Sequence, residues 1–120
     1  MIMRENVVKN KSFDFAVRIV KLYQYLCETK KEYVLTKQLL RSGTSVGAMI
    51  REAEHAESNA DFIHKMAIAQ KEINETIYWL ELLKETEYIE AAQFESIYAD
   101  AVEIIRLLTA IIKTVKAKIK

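Results

Sequence analysis

The chain has 120 residues, 51% of them hydrophobic and 29% charged, with a formal net charge of +1. That length suits a single domain over residues 1–120 with one core, and the composition excludes a disordered or fibrous chain. The near-neutral charge gives no global electrostatic case for nucleic acid, although the balance is uneven: 8 basic and 4 acidic groups in residues 1–40, 5 and 10 in 41–90, 5 and 3 in 91–120.

Absent turn residues point to helices. There is no proline, and the only glycines are Gly43 and Gly47, whereas sheets and long loops need such residues. The opening MIMRENVVKNK lacks the apolar stretch of a secretory signal, and no apolar run reaches the roughly 18 residues of a membrane span. A cytoplasmic protein with no membrane association is expected. Cys27 has no second cysteine to pair with and reads as a structural thiol on a helix.

Four stretches carry apolar residues at helical spacing. The first runs from about Ser12 to Thr29, with Phe15, Ile19, Leu22 and Leu26 on one stripe and Asn10 or Ser12 as cap. The second starts at Thr36 as N-cap, with Leu35 and Leu40 placed as a hydrophobic staple, and continues through Val46, Ile50 and Ala53 to about Ala56. Ser58 followed by Asp61 is a capping box that opens the third, whose stripe is Phe62, Met66, Ala69, Ile73, Ile77, Leu80 and Leu83. The fourth runs from about Ala91 to Lys118, and lysines crowd its last turns, where the helix dipole favours cations.

Short connections between such helices predict an all-α, antiparallel up-down-up-down four-helix bundle. Some apolar residues fall off the seams: Phe13, Val20 and Tyr25 on the first helix, and Ile63, Tyr78, Trp79 and Leu82 on the third. Exposed apolar surface on that scale marks an interface, so self-association is expected.

The segment QLLRSGTSVGAMIREA is the least ordinary. Two glycines inside a helical pattern cost roughly 1 kcal/mol each against alanine, so tertiary structure must offset them. Gly43 and Gly47 share a face, and a neighbouring helix of the same or another subunit can approach there. Two other readings stay open: a helix-turn-helix with its turn at Gly43 and Thr44, and a phosphate-holding surface of Arg41, Ser42, Thr44, Ser45 and Arg51.

Catalytic and metal chemistry find little support. Glu52 with His55 fits the Glu-x-x-His pattern of a di-iron bundle once, and Asp61 with His64 only loosely. The end of the fourth helix would have to complete that site, yet it brings Lys113, Lys116 and Lys118. Glu72 and Glu75 have no nucleophile or histidine placed beside them and read as ion-pair formers. Neither a metal nor a cofactor is expected, and the chain is not expected to be an enzyme.

The stretch from Gln38 to Leu83, densest in RSGTSVGA, REA, DFIHK and KE..ET.YWLELL, resembles the bacterial four-helix bundle protein family. That family includes proteins encoded by intervening sequences in 23S rRNA genes. The resemblance implies a ring-shaped homopentamer. It extends to the accessory protein of diversity-generating retroelements, a basic pentamer that binds nucleic acid and a reverse transcriptase. Met49 stands where many members carry asparagine, and the net charge departs from the basic pattern. The partners this implies are further copies of the chain, RNA or DNA, or another protein. The expected nucleic-acid contacts are Lys37, Arg41, Arg51, Lys113 and Lys116.

Overall fold

The computed structural model describes residues 3–119, with the side chain of Met3 left aside; Met1, Ile2 and Lys120 lie outside the described residues. Four helices account for nearly all of it: α1 (Met3–Glu28), α2 (Leu35–Ala53), α3 (Asn59–Glu85) and α4 (Ala91–Lys118), with no strand among the described residues. Each helix packs on two neighbours, α1 on α2 and α4, and α3 on α2 and α4, and none meets its diagonal partner. The rod measures 49 × 22 × 19 Å. Contacts run in opposing order from helix to helix: Lys9 meets Glu54 while Ile19 meets Gly43, and Lys11 meets Glu103 while Arg18 meets Asp100. That ordering is compatible with the up-down-up-down topology.

The core is built mainly from the stripes read from the sequence, with Leu22, Phe62 and Ile77 of those stripes only half-buried and Leu39 and Val8 added to them. Phe15, Ile19 and Leu26 from α1, Leu39, Val46 and Ile50 from α2, Met66, Ile73, Leu80 and Leu83 from α3, and Phe94, Ile104, Leu108 and Ile111 from α4 are all buried. Burial of apolar side chains, at about 25 cal/mol per Å², is what selects this arrangement of amphipathic helices. One polar bond crosses the core: the Thr76 hydroxyl donates to Ser42 Oγ at 2.9 Å, joining α3 to α2.

Helix boundaries depart from expectation in three places, the simplest being that α2 ends at Ala53 and not near Ala56. The first helix begins at Met3 rather than near Ser12, because MRENVVKNK contains no breaker and Val8 is fully buried in the core. Ser12 is therefore mid-helix and buried, its hydroxyl turned back to the carbonyl of Lys9. Thr36 does not cap α2 either. It lies inside the helix with its Oγ1 unpartnered, and the cap is Glu32, whose carboxylate accepts the backbone N–H groups of Val34, Leu35 and Thr36 at 3.2, 2.9 and 2.8 Å. A carboxylate there satisfies orphan donors and faces the positive end of the helix dipole.

The remaining turns follow rules that need no glycine. Ser58 Oγ accepts the Asp61 N–H at 3.0 Å and caps α3 as its sequence predicts. The reciprocal half of the capping box is displaced by one residue, the Asp61 carboxylate accepting the N–H of Glu57 and not that of Ser58. After α3, Glu87 takes φ 67°, and the Tyr88 and Glu87 N–H groups return to the carbonyls of Leu83 and Lys84. This is a Schellman closure with glutamate in the left-handed position. Glu90 and Gln93 then form a reciprocal capping box for α4.

Candidate nucleic-acid interface

The glycine segment is one uninterrupted helix: α2 runs from Leu35 to Ala53, which removes the helix-turn-helix reading. Gly43 is buried against α1 of the same chain. A Cβ there would lie 2.8 Å from both Cγ atoms of Ile19, itself wholly buried. At Gly47 the nearest atom to a Cβ would be Ser12 Oγ, at 3.4 Å. Of the two glycines, only Gly43 holds a neighbour too close for a side chain.

The five basic residues expected to contact nucleic acid are not brought together. Lys37, Arg41 and Arg51 stand on α2, whereas Lys113 and Lys116 stand on α4, its diagonal and untouched opposite. Two of the α2 cations already have partners. Arg41 forms ion pairs with Glu72, at 3.2 Å, and with Glu75, and Arg51 lies over the ring of Phe13, 5.3 Å from its centroid. Lys37 is exposed near the end of the rod that carries the 29–34 turn.

The Arg41 cluster also sets the ionisation of its partner. Glu75 accepts the indole N–H of Trp79 at 2.9 Å as well as the Arg41 guanidinium. The indole hydrogen bond, then Arg41, hold its carboxyl below the ordinary 4.5. A carboxyl lowered in the folded state stabilises fully above its unfolded value and loses that contribution as pH falls through the folded one. Stability measured from neutral pH to well below 4.5 should therefore fall less steeply in Glu75→Gln than in the parent. Parallel curves would remove Glu75 from the acid response.

Four other cations on the rod are paired across helices: Lys9 with Glu54 at 2.7 Å, Lys11 with Glu103 at 2.6 Å, Arg18 with Asp100 at 2.6 Å and Lys65 with Glu52 at 3.6 Å. Lys21, Lys30, Lys31 and Lys71 are exposed, form no salt bridge among the described residues and are scattered over α1, the 29–34 turn and α3. On α4 the pattern differs. Arg106, Lys113 and Lys116 fall at spacings of seven and three, on one helix face. Thr109 on that face receives Gln70 of α3 at 3.1 Å, so the stripe borders α3. All three are exposed, no salt bridge among the described residues reaches them, and residues 106–118 contain no Asp or Glu. Arg106 was legible as the residue one heptad before Lys113. Lys118 extends the basic run toward the end of the rod.

Other chemistry-bearing groups have structural work. Asp61 accepts the Glu57 N–H, and Glu52 is held by Lys65. Among the described residues, no group of three or more His, Cys, Asp and Glu side chains could hold a metal ion. A cleft of about 660 Å³ opens at the end of the rod between Lys9, Glu54, Ser58, Phe62 and Ile111. The Lys9 ammonium there keeps Glu54 below the ordinary carboxylate value, and Ser58 is occupied with its cap.

The geometry of these helices is that of a known group. A model of the family described as 23S rRNA-intervening sequence protein matches residues 4–110. The chain belongs to that family. A crystal structure of a protein with unknown function from the S23 ribosomal protein family of Bacteroides thetaiotaomicron is 63% identical, with a TM-score of 0.92, covering 92% of this chain and 99% of that one. No curated protein matches. In this 23S rRNA-intervening sequence protein, Arg41, Arg51, both glycines and Arg106 lie inside the matched span, while Lys113 and Lys116 lie beyond it. No helix among the described residues is long and apolar enough to cross a membrane.

Proposed function

We propose that this member of the 23S rRNA-intervening sequence protein family is a non-enzymatic, cytoplasmic homo-oligomer, a pentamer of up-down-up-down bundles. It acts as a scaffold or accessory factor that holds RNA along α4. The observation that carries the RNA half of this reading is the stripe of Arg106, Lys113 and Lys116, exposed and unneutralised over a segment with no acidic residue. A polyanion gains most where cations have no competing carboxylate, because each phosphate neutralised releases counterions. By the same logic Arg41, shared by Glu72 and Glu75, contributes least.

Binding of a fluorescent single-stranded RNA, followed by anisotropy across a salt series, tests it. Affinity should fall steeply with salt, and Lys113→Ala with Lys116→Ala should weaken binding about tenfold and flatten the log–log salt slope by roughly one to two. Arg41→Ala should leave the slope nearly unchanged. The competing reading, a protein-interaction module without nucleic acid, draws on the net charge of +1 and on five glutamates against one lysine in residues 81–95. Absence of RNA binding at low salt decides for it.

A further inference from the structure

Closing the core leaves two separate apolar stripes uncovered. On α1, Phe13, Val17 and Val20 are 54%, 38% and 37% exposed and fall on one face at spacings of four and three. They continue an uncharged line from Asn10 to Gln24. On α3, Tyr78 is 55% exposed, braced edge-on by Trp79 and continued by Leu82 four residues on. Not every off-seam residue joins them: Tyr25, Ile63 and Trp79 pack partly against the core.

The rims of the two stripes differ in their prevailing charge. Arg51 lies over Phe13 and Lys21 follows Val20, against one carboxylate, Asp14, a heptad before Lys21. Around Tyr78 and Leu82 stand Glu81, Glu85 and Glu75, the last held by Arg41, against one lysine, Lys71, a heptad before Tyr78. Two α1 stripes face to face would set cations against cations, and two α3 stripes would set carboxylates against carboxylates. One stripe of each kind matches in polarity and in charge.

Height and tilt agree as well. Ile19 packs at Gly43, and the adjacent Ser42 bonds Thr76, which places Val20 and Tyr78 in neighbouring layers of the rod. Both stripes also lean toward α2, since Arg51 of α2 covers Phe13 and Arg41 of α2 grips Glu75. The two faces therefore meet at an angle on the α2 side and do not point in opposite directions. Repeated contacts between unlike faces then turn consistently and can close, where opposed faces would stack into a straight filament.

We propose that the α1 stripe of Phe13, Val17 and Val20 seats on the Tyr78 and Leu82 stripe of α3 in a second copy of this chain, head to tail. This rests on the self-association proposed above and names the surfaces that carry it.

Complementation between two broken chains tests it. Val20→Glu spoils only the α1 stripe and Tyr78→Lys only the α3 stripe, each placing a charge against a rim of its own sign. Light scattering should give a multimer for the parent and 13.9 kDa for each variant alone, with helicity and melting retained. Mixed one to one, the variants offer one intact pair of unlike faces and set the introduced carboxylate against the introduced ammonium at the other, so the mass should at least double. Variants that keep the parent mass, or a mixture that stays monomeric, would overturn this seating and leave self-association standing. A monomeric parent at high concentration would overturn self-association itself.

Discussion

Gly43→Leu should abolish the native fold or lower its melting temperature by well over 10 °C, given roughly 2–4 °C per kcal/mol for chains somewhat longer than this one. The reason is visible at the backbone. Even a methyl group at Gly43 would meet Ile19 Cγ1 and Cγ2 at 2.8 Å and Cδ1 at 3.1 Å. Ile19 cannot step aside, because it is β-branched, held in a single helical rotamer and fully enclosed. Gly43→Ala alone should cost about 1–3 kcal/mol through overpacking, although alanine is intrinsically about 1 kcal/mol better in a helix. Gly47→Ala is the control: with its nearest neighbour at 3.4 Å, it should be neutral or stabilise by up to about 1 kcal/mol. Thermal melts followed by far-UV circular dichroism separate the two. Equal melting of Gly43→Ala and the parent would show that α1 yields at Ile19.

Glu32→Ala should destabilise the chain by about 2–3 kcal/mol, more than the loss of an ordinary helix cap. One buried carboxylate takes three backbone donors at the start of α2, and the Thr36 N–H has no access to water once it is removed. Urea unfolding should show a lower midpoint with an unchanged slope. Glu32→Gln keeps one acceptor oxygen, enough for Val34 and Leu35, but turns its NH2 toward the buried Thr36 N–H, so it should recover only part of the loss. A Glu32→Ala midpoint equal to the parent's would mean that the 29–34 turn rearranges to supply other acceptors.

Periodicity made the helices legible and left their ends obscure, for physical reasons. Residues 15, 19, 22 and 26 announce an amphipathic face, but nothing local reveals that Val8 is also swallowed by the core and carries α1 back to Met3. Thr36 looked like a cap because its hydroxyl suits the role. It lost to Glu32, whose longer side chain reaches all three donors only after Lys31 adopts φ 55°. Ser58 and Asp61 were readable because that cap is local, three residues wide. The helical cost of two glycines announced a close approach that only Gly43 makes, and its partner, Ile19, lies 24 residues upstream. Arg41 looked available in the chain and is not, since Glu72 and Glu75 reach it only through folding. The basic residues of α2 and α4 were grouped by charge alone, and the fold sends them to opposite corners.

The acidic residues 81–95 and the basic residues 106–118 sit toward opposite ends of a 49 Å rod. A molecule whose total charge nearly cancels is thus electrically lopsided along its α3–α4 side, tempered by Lys30, Lys31 and Lys37 at the acidic end and by Glu54, Glu57 and Asp61 at the basic one. Near a highly charged surface it experiences torque more than attraction, and rotational diffusion becomes biased so that one tip leads. Encounters with a polyanion begin at the lysine-bearing tip, and the opposite pole is held away in solvent.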